Sequence, residues 1–306
     1  MHESRTYSVI IPTLNAARDW PRFAPALLAC GPAERVLIVD SESTDGTQEL
    51  ARAAGFRLVT VARRYFNHGG TRQWAIQFAE DAEILVFLTQ DAVLAQPDSL
   101  SKLLAAFGDP AVGAAFGRQL ARPEAGPIER HARLFNYPPE SSVRSFETRD
   151  RLGFKTIFLS NSFAAYRRTA LEGVGGFPTD VIFGEDTVTA ARLLKAGWKI
   201  HYVAEAEAYH SHDYTARQEF RRYFDIGVLH VREGWLQEEF GRTGGEGKRF
   251  VLSELRYLWR HGAGLIPSAV ARTLAKWAGY QLGRREGRLS VGAKRRLSMH
   301  REFWRH

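Results

Sequence analysis

From Tyr7 onward the chain alternates short β-branched apolar runs with stretches of helical composition. Residues 7–12, 35–40, 57–61, 84–89 and 112–117 read as strands. Residues 23–30, 47–54, 71–80 and 99–107 read as helices, with Gly31, Gly55 and Gly108 placed as C-caps just beyond three of their ends. This alternation predicts an α/β domain built on a mostly parallel sheet. Such sheets bind ligands outside the carboxyl ends of their strands. Pro12-Thr13, the segment from Asp40 to Asp45, and Thr89-Gln90-Asp91 therefore draw attention first. Between residues 118 and 154 the periodicity weakens, and Pro123, Pro127, Pro138 and Pro139 punctuate an irregular stretch of the kind that forms lids or binding surfaces. Order resumes at 156–166, a helix is predicted over 186–195 and strands over 199–203 and 206–210, and the remainder is mainly helical. No internal repeat interrupts the pattern.

Composition changes this picture in one respect. With 306 residues, 44% hydrophobic and 25% charged, the chain has ordinary globular content. Its longest apolar runs, 84–88 and 36–39, are strand-sized and far short of the ~20 residues of a membrane-spanning helix. The first residues leave no room for a leader, and the single Cys30 reads as a structural thiol in a helix, so a cytoplasmic protein is expected. The net charge of +8 is unevenly spread: residues 241–306 carry 15 Lys/Arg against 4 Asp/Glu, a net of +11, which leaves −3 for the first 240. That tail also holds Trp259, Trp277, Trp304, Tyr257, Tyr280 and Phe303, a mixture suited to the inner face of a membrane. No nucleic-acid recognition motif accompanies the charge, so nucleic acid is not an expected partner. The other reading of the tail is a helical pair packed on the catalytic domain or on a second subunit, which leaves room for a homo-oligomer. The expected organisation is a catalytic domain over 1–240 and a basic, aromatic-rich helical extension over 241–306.

The chemistry-bearing residues cluster at the strand ends. Asp40 could offer its carboxylate to a pyrimidine base or a ribose, whereas Asp45 serves equally well as a turn residue or helix cap. In Phe66-Asn67-His68-Gly69-Gly70-Thr71-Arg72-Gln73 a Gly pair opens a helix with Arg72 in its first turn, an arrangement that favours an anion; His68 caps the helix or lines the cleft. The runs Val9-Ile10-Ile11-Pro12-Thr13-Leu14-Asn15 and Val39-Asp40-Ser41-Glu42-Ser43-Thr44-Asp45-Gly46-Thr47 resemble the nucleotide-binding half of the family 2 inverting glycosyltransferases, which have the Rossmann-like GT-A fold. Ser41 and Glu42 depart from the family pattern, Glu42 standing where Gly is common. The resemblance implies a nucleotide-sugar donor contacted by Pro12, Thr13, Asn15, Asp40, Ser41, His68, Gly70, Arg72, Thr89, Gln90 and Asp91.

Thr89-Gln90-Asp91 stands where GT-A enzymes carry Asp-x-Asp, with Thr89 in place of the first carboxylate. One carboxylate beside substrate phosphates can hold a divalent cation, Mg²⁺ or Mn²⁺, with a metal-independent enzyme as the alternative. His210 of Ala208-Tyr209-His210-Ser211-His212 matches a family histidine near the metal; His212 reads as a second ligand or as a core histidine. Phe183-Gly184-Glu185-Asp186-Thr187 resembles the family's Glu-Asp motif, which makes Asp186 the general base for an inverting attack. Glu185, with Arg221 and Arg222 of Gln218-Glu219-Phe220-Arg221-Arg222-Tyr223, is then assigned to the acceptor. Arg222 replaces the Trp of the processive members, so a non-processive enzyme is expected. Asn67 to Arg72, Leu88 to Ala92, Gly117-Arg118-Gln119 and Arg221 to Gly227 resemble the bacterial rhamnosyltransferases of O-antigen assembly. They imply dTDP-L-rhamnose as donor and a lipid-linked or polysaccharide acceptor. A UDP-sugar donor, a sugar nucleotidyltransferase and a non-catalytic saccharide-binding protein are the alternatives.

Overall fold

The computed structural model describes residues 6–241 and 244–304. Its centre is a sheet in the order β3-β2-β1-β4-β8-β6-β9-β5, with β7 also paired to β9. The strands are β1 (Tyr7–Thr13), β2 (Val36–Asp40), β3 (Arg57–Thr60), β4 (Ile84–Leu88), β5 (Val93–Leu94), β6 (Val112–Leu120), β7 (Ser142–Arg144), β8 (Phe163–Arg167) and β9 (Lys199–Tyr209). β1 to β4 pair in parallel as expected, and β6 pairs in parallel with β9. β8 enters antiparallel between β4 and β6. Every residue of Val-Leu-Ile-Val-Asp in β2 and Ile-Leu-Val-Phe-Leu in β4 is buried, as continuous apolar strands covered on both faces must be.

Helices α1 (Trp20–Cys30), α2 (Thr47–Ala53), α3 (His68–Ala75) and α4 (Ser99–Ala105) fill the connections of the parallel half. The period of two along each strand splits the core into two layers. Val9, Ile11, Val86 and Leu88 face α1, α2 and α4, while Ile10, Phe87 and Leu85 face the other side. Of the three expected C-caps only Gly55, at φ +75°, is left-handed; Gly31 is extended and Gly108 ends a 3₁₀ turn. Cys30 is half-buried rather than a core thiol. The helix expected over 71–80 begins earlier, because the Asn67 side chain accepts from Gly70 N, and ends in a 3₁₀ turn through Phe78.

The irregular stretch holds α5 (Pro127–Asn136), β7 and α6 (Arg149–Leu152). After it come α7 (Arg168–Gly173) and α8 (Glu185–Lys195), and the two strands expected near 199–210 are one continuous β9. Then follow α9 (Ala216–Arg232), α10 (Trp235–Phe240), α11 (Gly244–His261), α12 (Ile266–Gly283) and α13 (Val291–Leu297). α12 lies directly on α9: a Cβ on Gly279 or Gly283 would collide with the carbonyl oxygens of Phe220 and Phe224. Lys276–Glu219 (3.3 Å) and Arg272–Asp213 (3.0 Å) tie the same pair of segments. Past α13 the backbone N–H groups of Met299 and His300 donate to Asp225 Oδ2 at 2.9 and 3.3 Å, and Trp304 joins the core. The basic tail thus has one face committed to the catalytic body.

Candidate active site

The ends of β1 and β2 form a closed hydrogen-bonded turn. Asp40 is wholly buried. Its Oδ1 accepts from Ser43 N (2.8 Å) and Gln48 Nε2 (2.7 Å), and its Oδ2 from Thr13 Oγ1 (2.9 Å) and Ser43 Oγ (2.6 Å). Four donors from Thr13, Ser43 and Gln48 occupy this carboxylate, and through them Asp40 organises the turn. Asn15 sits at φ +51°, a conformation Asn tolerates, and its Oδ1 accepts from Thr44 N at 2.9 Å. Glu42 occupies the left-handed region at φ +57°. That explains why Gly is common there in the family this turn resembles, and a 3.0 Å bond from Arg63 N to Glu42 Oε2 helps hold the strained residue. Asp45 bonds Thr47 and Ala17 N. Pro12 and Thr13 pair in register with Val39 and Asp40, and Ser41 N donates to Thr13 O. Gln90 clamps Leu14 from both sides, accepting from its N–H (2.7 Å) and donating to its carbonyl (3.1 Å).

Arg72 and Glu185 had been given separate roles, on the donor and the acceptor. The structure pairs them with each other: Arg72 Nη1 lies 2.7 Å from Glu185 Oε1, with side chains 5% and 6% exposed. Asn161 Nδ2 donates to the same oxygen at 3.1 Å, and Tyr166 Oη donates to Asn161 Oδ1 at 2.7 Å. This buried pair positions α3 against α8, with both side chains almost wholly out of solvent, while Arg72 Nε is left without a hydrogen-bond partner. Gly70 N is spent on the Asn67 cap. Gly184, at φ +76°, turns the chain so that Asp186 follows the buried Glu185 on the first turn of α8. Asp186 Oδ2 accepts from Asn161 N (3.2 Å) and Oδ1 from Thr187 N (2.8 Å). Burial, and then the Glu185 charge beside it, push the Asp186 carboxyl up to about 6.

The third group forms where β4 ends. Thr89 to Ala92 make a turn, and β5 then pairs antiparallel with the end of β9, Val93 opposite Tyr209. This ladder sets Asp91, two residues before Val93, beside His210 and His212 just past Tyr209. The Nε2 atoms of both histidines lie 3.5 Å from Asp91 Oδ2, and one ligand atom from each residue falls within 4.8 Å of the others. Gln119 Nε2 donates to Ser160 Oγ (2.9 Å), so its Oε1 faces His210 Nδ1 (2.9 Å) and requires the proton there. The lone pair of His210 Nε2 then faces an aspartate oxygen. Burial lowers both histidine pKa values, His212 to about 4, so both rings are neutral at neutral pH. Burial raises the Asp91 carboxyl; only protonated imidazoles, His210 donating a hydrogen bond to it and both rings charged, outweigh burial and hold it well below the usual range. Neutral imidazoles and a carboxylate converging on one point fit a divalent cation such as Mn²⁺.

Arg122, Arg133 and Arg222 surround this cluster. Arg122 Nη2 donates to Asp91 O at 2.9 Å. Behind burial, His210 and Asp91, Arg133 and Arg222 also act on His212, and both act on Tyr137, which in turn feels Asp186. The Arg222 guanidinium stands 5.8 Å from the rings of Phe183 and Tyr214. Arg221 instead faces Arg217 and Arg301. A cavity of about 280 Å³ opens beside the cluster, lined by Arg118, Arg130, Arg133, Tyr137, Tyr209 and Tyr257. His68 touches the ring of His300, which stacks on Phe183, so the C-terminal segment closes the α3–α8 side. The sequence leaves His212 open, offers Gln119 only within a family-like segment and without a role, and gives no sign of Arg122, Arg133, Asn161 or His300. The His-x-His spacing was the signal for the first, and α5, hidden among prolines, for Arg133.

A family model described as glycosyl transferase family 2 matches residues 8–175. The chain is 43% identical over 303 residues to the O-antigen chain rhamnosyltransferase WbaN of Salmonella anatum, covering 98% of this chain and 96% of that protein. It is likewise 43% identical over 300 residues to the O-antigen chain rhamnosyltransferase RfbN of Salmonella typhimurium strain LT2, covering 97% and 95%. Among solved structures, the mannosyltransferase PcManGT from Pyrobaculum calidifontis, in complex with GDP-Man and Mn²⁺, aligns at TM-score 0.57 and 22% identity over 98% of this chain and 85% of that one. S. aureus TarS 1-349 in complex with UDP-GlcNAc aligns at TM-score 0.53 and 15% identity over 92% and 91%. At those identities the two structures speak for the fold, which is GT-A.

Proposed function

The chain belongs to glycosyl transferase family 2 and is a glycosyltransferase, and from that premise we propose that it transfers L-rhamnose from dTDP-L-rhamnose, with inversion and without processivity, to a lipid-linked or polysaccharide acceptor in O-antigen assembly. The geometric observation that carries the site assignment is the convergence of Asp91, His210 and His212 at the end of β4. These three side chains would hold a Mg²⁺ or Mn²⁺ ion, which when bound supplies positive charge to the leaving diphosphate. Arg122, Arg133 and Arg222 supply further positive charge from the protein. Thr13, Asn15, Ser41 and Gln90 shape the nucleotide end of the pocket, while Asp40 and Arg72 hold its walls in place.

Asp186 takes the proton of the acceptor hydroxyl as that oxygen attacks the anomeric carbon opposite the diphosphate. Two backbone N–H groups orient its carboxylate, and a pKa of about 6 keeps it ionised but still basic at neutral pH. The cavity lined by Arg118, Arg133 and three tyrosines lies on the acceptor side, with the apolar and polar surfaces a sugar requires. Support for rhamnose comes from the names of the two relatives at 43% identity. The test is turnover of a panel of nucleotide sugars with and without Mg²⁺ or Mn²⁺. Metal-dependent use of dTDP-L-rhamnose is the expected result. Selective use of a UDP-sugar would overturn the donor, and failure to bind any nucleotide sugar would overturn the reading as a whole.

A further inference from the structure

The helical pair α11 and α12, joined through residues 262–265, has two unlike faces. Inward, Glu254, Leu258, Ala269, Gly279 and Gly283 are buried. Outward, Leu252 and Trp259 on α11 and Val270, Leu274 and Trp277 on α12 follow helical spacing, so each set lies along one side of its helix. Trp259 is 75% exposed, Trp277 63% and Leu274 61%, and Leu265 adds an apolar side chain at the turn. Singly exposed apolar residues are ordinary; two tryptophans and four aliphatics gathered on one helical pair are not.

The charges on the same pair separate in the same way. Between residues 244 and 283 the acids are Glu246 and Glu254 alone. Glu246 is turned to Lys155 at 3.2 Å, and Glu254 is buried. Arg272 and Lys276 are likewise paired inward. Arg249, Arg256 and Arg260 are exposed on the side of α11 that carries Leu252 and Trp259. The outward face therefore joins apolar side chains to cations with no acid among them. A nucleic-acid backbone would match the cations but would leave the aliphatic stripe in water. An anionic bilayer surface matches both.

We propose that the outward face of α11 and α12 docks on an anionic lipid bilayer, Trp259, Leu265, Val270, Leu274 and Trp277 entering the headgroup region and Arg249, Arg256 and Arg260 meeting the lipid phosphates. This rests on the reading of a lipid-linked acceptor, and it places that acceptor correctly: Tyr257, on the inward side of the same turn of α11 as Trp259, lines the cavity beside the Asp91 cluster. Docking the outer face brings the cavity next to the lipid surface.

The experiment is cosedimentation of the full chain with phosphatidylcholine vesicles made with and without phosphatidylglycerol, alongside tryptophan emission and light scattering. Wild type should pellet with the anionic vesicles, with emission shifted to the blue and binding weakened by salt. Arg256→Ser with Arg260→Ser should weaken binding ~30-fold, from two surface cations, and Trp259→Ala with Trp277→Ala should abolish the emission shift. Both variants should turn over donor with a water-soluble acceptor as wild type does. Equal binding to neutral vesicles, no binding to either, or a wild-type dimer that the tryptophan variant dissolves would each overturn the docking face. Loss of donor turnover in wild type would instead count against the transferase reading, so the two failures are distinguishable.

Discussion

Asp40, closing β2, receives four hydrogen bonds of 2.6 to 2.9 Å from the Thr13, Ser43 and Gln48 around it. Asp91, after β4, faces two imidazole nitrogens, both 3.5 Å away. Both are strand-end aspartates in a parallel sheet, and in the sequence they carry equal weight as ligand contacts. Their surroundings separate them. A carboxylate with every lone-pair direction taken by protein donors fixes the shape of a pocket, whereas one opposed by neutral histidine nitrogens needs a cation to bring the three together. The difference lies in neighbours: β2 runs into a tight turn that folds back on it, while β5 carries Asp91 across to the end of β9.

The largest effect should come from the open side. Asp186→Asn should lower the turnover rate by ~10²–10⁴-fold while donor affinity is retained, as measured by steady-state kinetics and donor titration. The wild-type rate should rise with pH through about 6 and level off above it, because the working form is the ionised carboxylate. That limb should vanish in the variant. The stability linkage has the opposite sense: with a raised folded-state pKa, the contribution of Asp186 is full below its unfolded value and is lost as pH rises through about 6.

A smaller effect sharpens the metal side of the comparison. Gln119 is outside the Asp91, His210 and His212 cluster, but its Oε1 keeps the proton of His210 on Nδ1. Gln119→Ala should weaken Mn²⁺ affinity by about 10–100-fold, by calorimetry, with the fold unchanged. Unaltered Mn²⁺ affinity would mean that the cluster does not hold the ion.

How much of this could be read in advance follows the same division. The parallel half was legible because its apolar runs and helix ends are local signals: β1 to β4 fall within a residue or two of their expected ends. Asp91 and His210 are singled out by their motifs, and the structure brings their side chains to 3.5 Å of each other. The partners of Glu185 were not legible. Asn161 joins Glu185 from 24 residues away, and Arg72 reaches it from 113, distances at which no periodicity connects residues. The prolines between 118 and 154 read as breaks, yet Pro127 occupies the first turn of α5, where its missing N–H has no helical partner to lose. That misreading hid Arg133. The basic tail was legible as composition, but only the packing of Gly279 and Gly283 against α9 shows which of its faces is left for a second surface.

The smallest effect tests the closed side, and Asp40→Asn is the discriminating change. One oxygen becomes an amide that donates: facing Ser43 N and Gln48 Nε2 it meets two groups that cannot accept, and facing Thr13 Oγ1 and Ser43 Oγ it requires both hydroxyls to turn and give up the carboxylate as their acceptor. Leaving buried donors without an acceptor costs about 1–3 kcal/mol, so the unfolding free energy in a denaturant titration should fall by about that amount. Mn²⁺ affinity should not change, since none of these groups belongs to the Asp91 cluster. If stability were preserved and nucleotide affinity lost, Asp40 would be a donor contact after all, and the contrast between the two strand ends would disappear.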